Sequence, residues 1–367
     1  MRILFVAPRF HTNQIPMVSV LQAKGHEVVY DVLRVGKIED HSLLTPNLIE
    51  ASRPGRRTPH QVVTYVRRLR CLRPDVIVVK GLPQPFGRPF AALAILAARV
   101  AGIPIVLYTQ GPVHRRRSPM KRLARGALLR GLRAEWYSPV AGDTMLPTTH
   151  EGVRYLPFAA EPREEPKSTW FRDGSVHILA IGKFVERKNH LLLIEAFRTL
   201  RASVDAKLTI VGEVSRTVHE QHHADVLRAI TSHGVDGDVT VMTNVPFANV
   251  QRMYVEHDLY VLPSRSEPAA VSILEAMAFG LPVICSSANG TQCYIEHGRN
   301  GYVFLSDDLQ DLTAKLVAAV GDRERLMRMG ARSSALAGTV HHPETIYHGF
   351  MELVERQAAK RHPKAAP

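Results

Sequence analysis

Short apolar runs alternate with helical patterns twice along this chain, and that alternation restricts the fold more than any other feature. In the first half the runs are Arg2–Ala7, Glu27–Val32, Asp75–Val79 and Ile103–Tyr108. Helical patterns lie near Pro16–Lys24, Gln61–Leu72 and Pro89–Ala101. A second series follows, with strand-like runs at His177–Ile181, Lys207–Val211, Val239–Met242, Leu259–Leu262 and Val283–Cys285. Its helices are expected to begin near Asn189, Val218, Ala248 and Pro268. Strands that read as continuous apolar runs are buried on both faces, as in parallel sheets covered by helices. The expected class is therefore α/β, with two doubly wound parallel-sheet domains. At 367 residues the chain is long enough for two cores. The segment Pro157 to Asp173, rich in Pro, Glu and Lys, reads as the linker between them. The domains are expected at 1–165 and 166–342, with 343–367 as a last helix and tail.

The most informative local stretch runs from Glu267 to Glu275. Pro268 suits the first position of a helix and Gly280 its end. Eight residues advance about 12 Å and end roughly 80° round, so both carboxylates can face one cleft. A helix start at the edge of a parallel sheet favours anions. A Glu just before it repels phosphate and is better matched to hydroxyls. A nucleotide-sugar satisfies all three demands: diphosphate at the helix start, sugar at Glu267, ribose at Glu275. The alternative is an electrostatically welcome Glu with no further role. Glu275 fits that alternative less well, because it stands among Ile273, Leu274, Ala276, Met277 and Phe279.

Lys183 and Lys188 follow the strand that ends at Ile181-Gly182. Both are expected in the crevice above the sheet edge, where two ammonium groups would neutralise a leaving diphosphate. Two solvated loop lysines are the alternative. The first βα turn, Ala7-Pro-Arg-Phe-His-Thr-Asn-Gln, lacks G-x-G-x-x-G, which weighs against a nicotinamide enzyme.

The stretch Ser264-Arg-Ser-Glu-Pro-Ala-Ala-Val-Ser-Ile-Leu-Glu-Ala-Met-Ala-Phe-Gly-Leu-Pro-Val-Ile resembles the signature of retaining glycosyltransferases of family 4. Gly182-Lys-Phe-Val-Glu-Arg-Lys188, Asn289-Gly-Thr and Glu296-His-Gly-Arg-Asn-Gly-Tyr-Val-Phe are similar to the same family. The resemblance implies a GT-B fold, two Rossmann-like domains facing a cleft. It implies a nucleoside-diphosphate sugar as donor and no further cofactor or metal. Under it, Glu267, Lys183 and Lys188 are the catalytic candidates. Glu275, Gly182, Ala269, Ala270, Val271, Gly290 and Thr291 are the donor-binding candidates, with Gly212 and Glu213 where the base pocket begins. His11, Asn13, His114 and Gln110 are candidates for acceptor or phosphate contacts. Two departures stand out. Pro268-Ala269-Ala270 replaces a glycine-containing segment, and Gln110 stands where many relatives have His. A Gln cannot act as a general base. That costs little if the donor phosphate takes the acceptor's proton. The resemblance also implies that Glu344–Gln357 crosses back onto the first domain.

Charge separates the two halves. Residues 1–160 carry 24 Lys and Arg against 9 Asp and Glu, and the remainder 23 against 25. The excess gathers at Arg67, Arg68, Arg70 and Arg73, and from Arg115 to Arg125. Projected as a helix from Met120, Leu123, Ala124, Ala127 and Leu128 fall on one side. Lys121, Arg122, Arg125 and Arg133 fall largely opposite. Such a pattern fits an anionic membrane surface, or a solvated helix face. The acceptor expected from the resemblance is a glycan or a lipid-linked glycan, with the protein cytoplasmic and peripheral. Nucleic acid is not expected, since no recognition motif or interleaved aromatics accompany the charge. A sugar-nucleotide epimerase and a basic nucleic-acid-binding protein remain the competing functions.

The apolar run Phe90 to Ala98 is too short to span a bilayer. Arg2-Ile-Leu-Phe-Val-Ala-Pro is too short for a signal peptide and reads as a strand. Cys71, Cys285 and Cys293 have no metal-like or disulfide-framework spacing. The pairs His222-His223 and His341-His342 read as surface residues.

Overall fold

A computed structural model describes residues 1–10, 14–35, 42–49, 59–80, 89–110, 131–132, 134–141, 153–161, 163, 165 and 167–359. The chain divides into two compact units, Met1–Ala159 with His342–Pro367, and Ala160–His341.

The first unit holds strands β1 (Arg2–Ala7), β2 (Glu27–Val32), β3 (Asn47–Leu48), β4 (Val76–Lys80), β5 (Ile105–Tyr108), β6 (Glu135–Ser138) and β7 (Val153–Tyr155). They form one parallel sheet in the order β3-β2-β1-β4-β5-β6-β7. Its described helices are α1 (Ile15–Ala23), α2 (Pro59–Leu72) and α3 (Pro89–Ala101), together with the last helix, Pro343–Ala359. Alternate strand residues point to opposite faces. Leu4 and Val6 of β1 therefore share a core with Tyr65, Val66 and Leu69 of α2 and Phe90, Ala94 and Ile95 of α3. Phe5 faces the other way, stacked on Tyr30 at 4.9 Å and on Phe350 of the last helix at 6.0 Å. Gly349 of that helix lies where a Cβ would press on Leu156.

Arg68 is not part of an exposed basic cluster. Its guanidinium grips the fully buried Asp31 with two bonds, at 3.0 and 2.5 Å, and Tyr65 Oη donates to the same carboxylate at 2.9 Å. A buried carboxylate has to be paired, and that need turns one arginine of the run inward. The stretch Arg115 to Arg125, with His114, lies outside the described residues.

The second unit holds β8 (Val176–Ile181), β9 (Ala206–Gly212), β10 (Val239–Thr243), β11 (Leu259–Leu262), β12 (Val283–Ser286) and β13 (Gly301–Phe304). The sheet is parallel throughout, in the order β10-β9-β8-β11-β12-β13. Its helices are α4 (His190–Arg201), α5 (Thr217–Ser232), α6 (Phe247–Glu256), α7 (Val271–Ala278), α8 (Leu309–Val320) and α9 (Arg323–Thr339). Pro343–Ala359 is then α10. Strand order reverses between β8 and β11, so a crevice opens at their carboxyl ends.

Two expectations are corrected. Helix α7 begins at Val271, not at Pro268. The intervening residues are held extended, because Glu267 bridges Asn289 in parallel and Ala270 bonds to Thr291. His222 and His341 are buried rather than on the surface: His222 meets His190, and His341 packs edge-on to Tyr294 at 4.4 Å. The two units divide between Ala159 and Ala160, inside the stretch Pro157 to Asp173, and both ends of that stretch are packed. Phe158 is buried, and Phe171 N–H donates to Asp258 at 2.8 Å.

Candidate functional site

Two loops leave the sheet where its order reverses. The first, after β8, is Gly182 to Asn189, and its last turn is a 3-10 turn at Glu186–Lys188. The second, after β11, runs from Pro263 to Ala270. Lys188 is buried, and its stem crosses Gly182, where a Cβ would lie 3.1 Å from the lysine Cδ and Cε. Gly212, at the end of β9, is tighter still. A Cβ there would lie 2.5 Å from the Gly182 carbonyl and from the Phe184 ring. Two glycines thus let three backbone segments close around one lysine.

Lys188 Nζ donates to Glu267 Oε2 at 2.5 Å, and Arg187 Nη1 reaches the same oxygen at 2.7 Å. Burial pushes the Glu267 carboxyl up, but Lys188 and Arg187 outweigh it and hold the group below its ordinary range. Burial also lowers the Lys188 ammonium, which Glu267 partly offsets. Two cations facing one carboxylate leave one positive charge uncompensated at this point.

The Glu267 backbone is clamped as well. Its N–H donates to Ala288 O at 3.2 Å, and its carbonyl accepts from Gly290 N–H at 2.8 Å. Thr291 is fully buried. Its hydroxyl accepts Ala270 N–H at 3.2 Å and donates to Asn289 Oδ1 at 2.9 Å. Gly290 and Thr291 therefore act on the loop that carries Glu267, and the Ala270 N–H is already used. Helix α7 has no side-chain cap at its start. The first N–H groups of a helix lack intrahelical acceptors, so Val271 and its successors present donors to an anion. Ser272, in that first turn, has its hydroxyl held by Tyr260 Oη at 2.7 Å.

Glu275 lies one turn further along α7. Tyr254 Oη, from α6, donates to Glu275 Oε2 at 2.9 Å. Burial raises the Glu275 carboxyl above its ordinary value, against the Tyr254 bond that lowers it. One oxygen is thus occupied. The other has no partner among the described residues and can accept from a ligand hydroxyl.

Lys183 does not converge on Lys188. It pairs with Glu213 at 2.7 Å, in the turn after β9, where Ser215 Oγ donates to the same carboxylate at 2.5 Å. The second cation on Glu267 is instead Arg187, the neighbour of the expected lysine. A buried histidine pair lies behind the turn. His190 and His222 approach to 3.3 Å beside Phe184, and burial, with His222 and Lys188, pushes His190 down to about 3. Gln110 follows β5 in the first unit and is half-buried beside Tyr108. His11 and Asn13 lie outside the described residues. Among the described residues, no group of three or more His, Cys, Asp or Glu could hold a metal ion.

Residues 162–335 match the family model described as Glycosyl transferases group 1. Mannosylfructose-phosphate synthase of Agrobacterium fabrum is 28% identical over 196 residues, 52% of this chain and 43% of that protein. The amylovoran biosynthesis glycosyltransferase AmsK of Erwinia amylovora is 27% identical over 190 residues, 50% of this chain and 45% of that protein. The chain thus spans less than half the length of these two relatives. A GDP-mannose-dependent alpha-(1-6)-phosphatidylinositol monomannoside mannosyltransferase of Mycobacterium tuberculosis is 26% identical over 269 residues, 66% of this chain and 67% of that protein. Among solved structures, a glycosyltransferase from Rickettsia africae superposes with a TM-score of 0.75 at 13% identity, covering 100% of this chain and 99% of that one. Anabaena Alr3699/HepE in complex with UDP gives 0.74 at 15% identity, covering 97% and 100%. At such identities the likeness is one of fold.

Proposed function

From a chain of GT-B fold whose residues 162–335 belong to the glycosyl transferases group 1 family, we propose a retaining glycosyltransferase. It moves a sugar from a nucleoside-diphosphate sugar to a hydroxyl on a glycan or lipid-linked acceptor. The observation that carries this reading is the meeting of Lys188, Arg187 and Glu267 next to the uncapped start of α7.

The chemistry follows from that arrangement. The diphosphate lies at the α7 N–H groups and beside the uncompensated positive charge. Glu267 accepts hydrogen bonds from sugar hydroxyls, because its two cations keep it ionised. The free oxygen of Glu275 accepts from the ribose. When the bond from the anomeric carbon to the phosphate oxygen breaks, charge grows on the diphosphate, where Lys188 and the helix start favour it. The acceptor oxygen then bonds to the same face of that carbon. Its proton passes to the leaving phosphate oxygen, so no protein base is required.

Two donor bases have support. The M. tuberculosis relative is GDP-mannose-dependent, and the Anabaena neighbour is solved with UDP and with UDP-glucose. Thermal shift with UDP-, GDP- and ADP-sugars identifies the donor, since a ligand that binds only the folded state stabilises it. Turnover with the selected donor, followed by the anomeric configuration of the product, tests retention. Failure of every nucleotide-sugar to shift the transition overturns the reading.

A further inference from the structure

The turn Glu296 to Gly301 leads into the amino end of β13, so it lies at the sheet edge opposite the crevice of Lys188 and Glu267. It meets α9 there. Arg332 Nε and Nη2 donate to the two Glu296 oxygens, each at 2.7 Å, and Ser333 Oγ donates to Asn300 O at 3.3 Å. A cavity of about 380 Å³ opens between the turn and the helix. Arg299 lines it from the turn, and Arg325, Arg328 and Arg332 line it from α9, around the buried Met329. None of its lining residues is acidic. Steps of three and four place the helical arginines on one face, where like charges repel. The protein's own carboxylates meet that charge unevenly. Arg299 reaches Glu296 only at 3.6 Å, and Arg328 reaches Glu324 at 3.5 Å and Asp322 at 3.9 Å. Both arginines are exposed, and such pairs are weak. No described carboxylate pairs with Arg325. Its guanidinium stands 5.7 Å from the Tyr302 ring centroid, which leaves its N–H groups open to an anion. Gly298 beside it holds a φ of 77° and puts no side chain into the space.

We propose that this cavity is a second anion site, which binds a small phosphate-bearing molecule. Residue type selects the ligand. A guanidinium presents a planar fork of donors that matches phosphate oxygens two at a time, and it gives up water more readily than an ammonium. Glu296 fixes the plane of Arg332 through Nε and Nη2 and leaves Nη1 for the ligand. Arg325 supplies the charge that no described acid offsets. Arg299 and Arg328 exchange long, solvent-screened pairs for a phosphate group. Size narrows the class. A volume of about 380 Å³ is within the range of small-molecule pockets, so a phosphomonoester of metabolite size fits as well as bare phosphate. Position separates the site from the donor diphosphate, which belongs at the carboxyl edge of the sheet. The proposal does not depend on the glycosyl-transfer reading.

The test is calorimetric titration of the full chain with glycerol 3-phosphate and with inorganic phosphate, at an ionic strength held constant with chloride. The expected result is saturable binding of at least one of them. Arg325→Gln and Arg328→Gln should each weaken it about tenfold or more, the scale of one charged hydrogen-bond partner. Arg325→Lys keeps the charge without the fork and should fall between the parent and Arg325→Gln. Lys188→Ala, at the other edge of the sheet, should leave this binding in place. Thermal unfolding checks that each variant is folded. Thermal shift by nucleotide-sugars is measured on the same samples, and the arginine variants should keep the parent's response. Absence of binding to both probes overturns the proposal. So does binding that Lys188→Ala abolishes and the double variant Arg325→Gln with Arg328→Gln retains, which would place the anion at the diphosphate position.

Discussion

Asn189 Nδ2 donates to Asp307 Oδ1 at 3.0 Å, and both residues hold left-handed backbone, with φ of 58° and 62°. Residues other than glycine adopt that region at a cost, which is smallest for Asn and Asp. Asn189 ends the turn that carries Lys188. Arg265, two residues before Glu267, donates from Nε to the same Asp307 oxygen at 2.5 Å, and its N–H bonds to Arg187 O at 2.8 Å. Asp307 thus fastens the lysine turn to the glutamate loop. A strained residue that ties two site loops is one whose replacement can separate function from stability.

Asp307→Gly removes the strain and the tie together. The expected outcome is an unchanged or raised unfolding temperature with turnover lowered about ten- to a hundredfold, the scale of a misplaced catalytic group. Asp307→Asn keeps an acceptor oxygen and tolerates the left-handed region, and should restore much of the loss. Turnover that falls only in step with stability would leave Asp307 a structural residue.

Lys188→Ala should lower turnover more than it weakens donor binding. Charge on the diphosphate increases as the glycosidic bond breaks, so a cation there acts most strongly in the transition state. The loss of one such group is worth about 10²–10³ in kcat. Arg187 remains on Glu267 and keeps it ionised. Single-turnover kinetics and donor titration separate the two effects. A rise in KM alone would mean that Lys188 binds only the ground state.

Glu275→Ala should weaken nucleotide-sugar affinity by about 1.5–3 kcal/mol, roughly ten- to 150-fold, through loss of a charged hydrogen-bond partner. The variant also strands the buried Tyr254 hydroxyl. Tyr254→Phe in the same chain removes that stranded group, and the donor affinity should stay low in the double variant. Calorimetric titration on folded protein decides the matter, and undiminished affinity removes Glu275 from the donor site.

The parallel α/β class was legible because the central strands are uniformly apolar. The edges were not. β3 is two residues long, both exposed, β6 and β7 are only four and three residues long, and β13 opens on Gly301, whose site against the Val283 carbonyl admits no Cβ. Residue type and local spacing pointed to Lys188, Glu267 and Glu275. Partnership did not follow from them. The bond between Lys188 and Glu267 spans 79 residues, and that between Asn189 and Asp307 spans 118. Arg187 is adjacent to Lys188, but nothing in sequence says which of two neighbouring cations turns inward beside it. The start of α7 was misplaced because Pro268 favours a helix start locally, while the Glu267–Asn289 bridge, made across the fold, keeps that segment extended.

His257 gives the chain a defined acid sensitivity. The residue is buried at the end of α6. Its Nδ1–H donates to Met253 O at 2.6 Å, and Nε2 accepts from Thr209 Oγ1 at 2.9 Å, an arrangement that suits the neutral ring. Burial pushes the imidazole down to about 4. The Met253 bond acts against that shift, and His177, Lys167 and Arg172 reinforce it. An unfolded chain binds this proton near 6.5. Stability from the neutral ring is therefore complete above about pH 6.5 and is lost as pH falls toward 4. Its full extent is roughly 3 kcal/mol, at up to 1.36 kcal/mol per pH unit. Other buried groups titrate in the same range, so the measurement is a difference. Urea midpoints of the parent and of His257→Gln are followed from pH 7 to acid. The variant should start less stable and lose stability less steeply, by up to one proton. Parallel profiles would show that His257 protonates as easily in the folded chain as in the unfolded one.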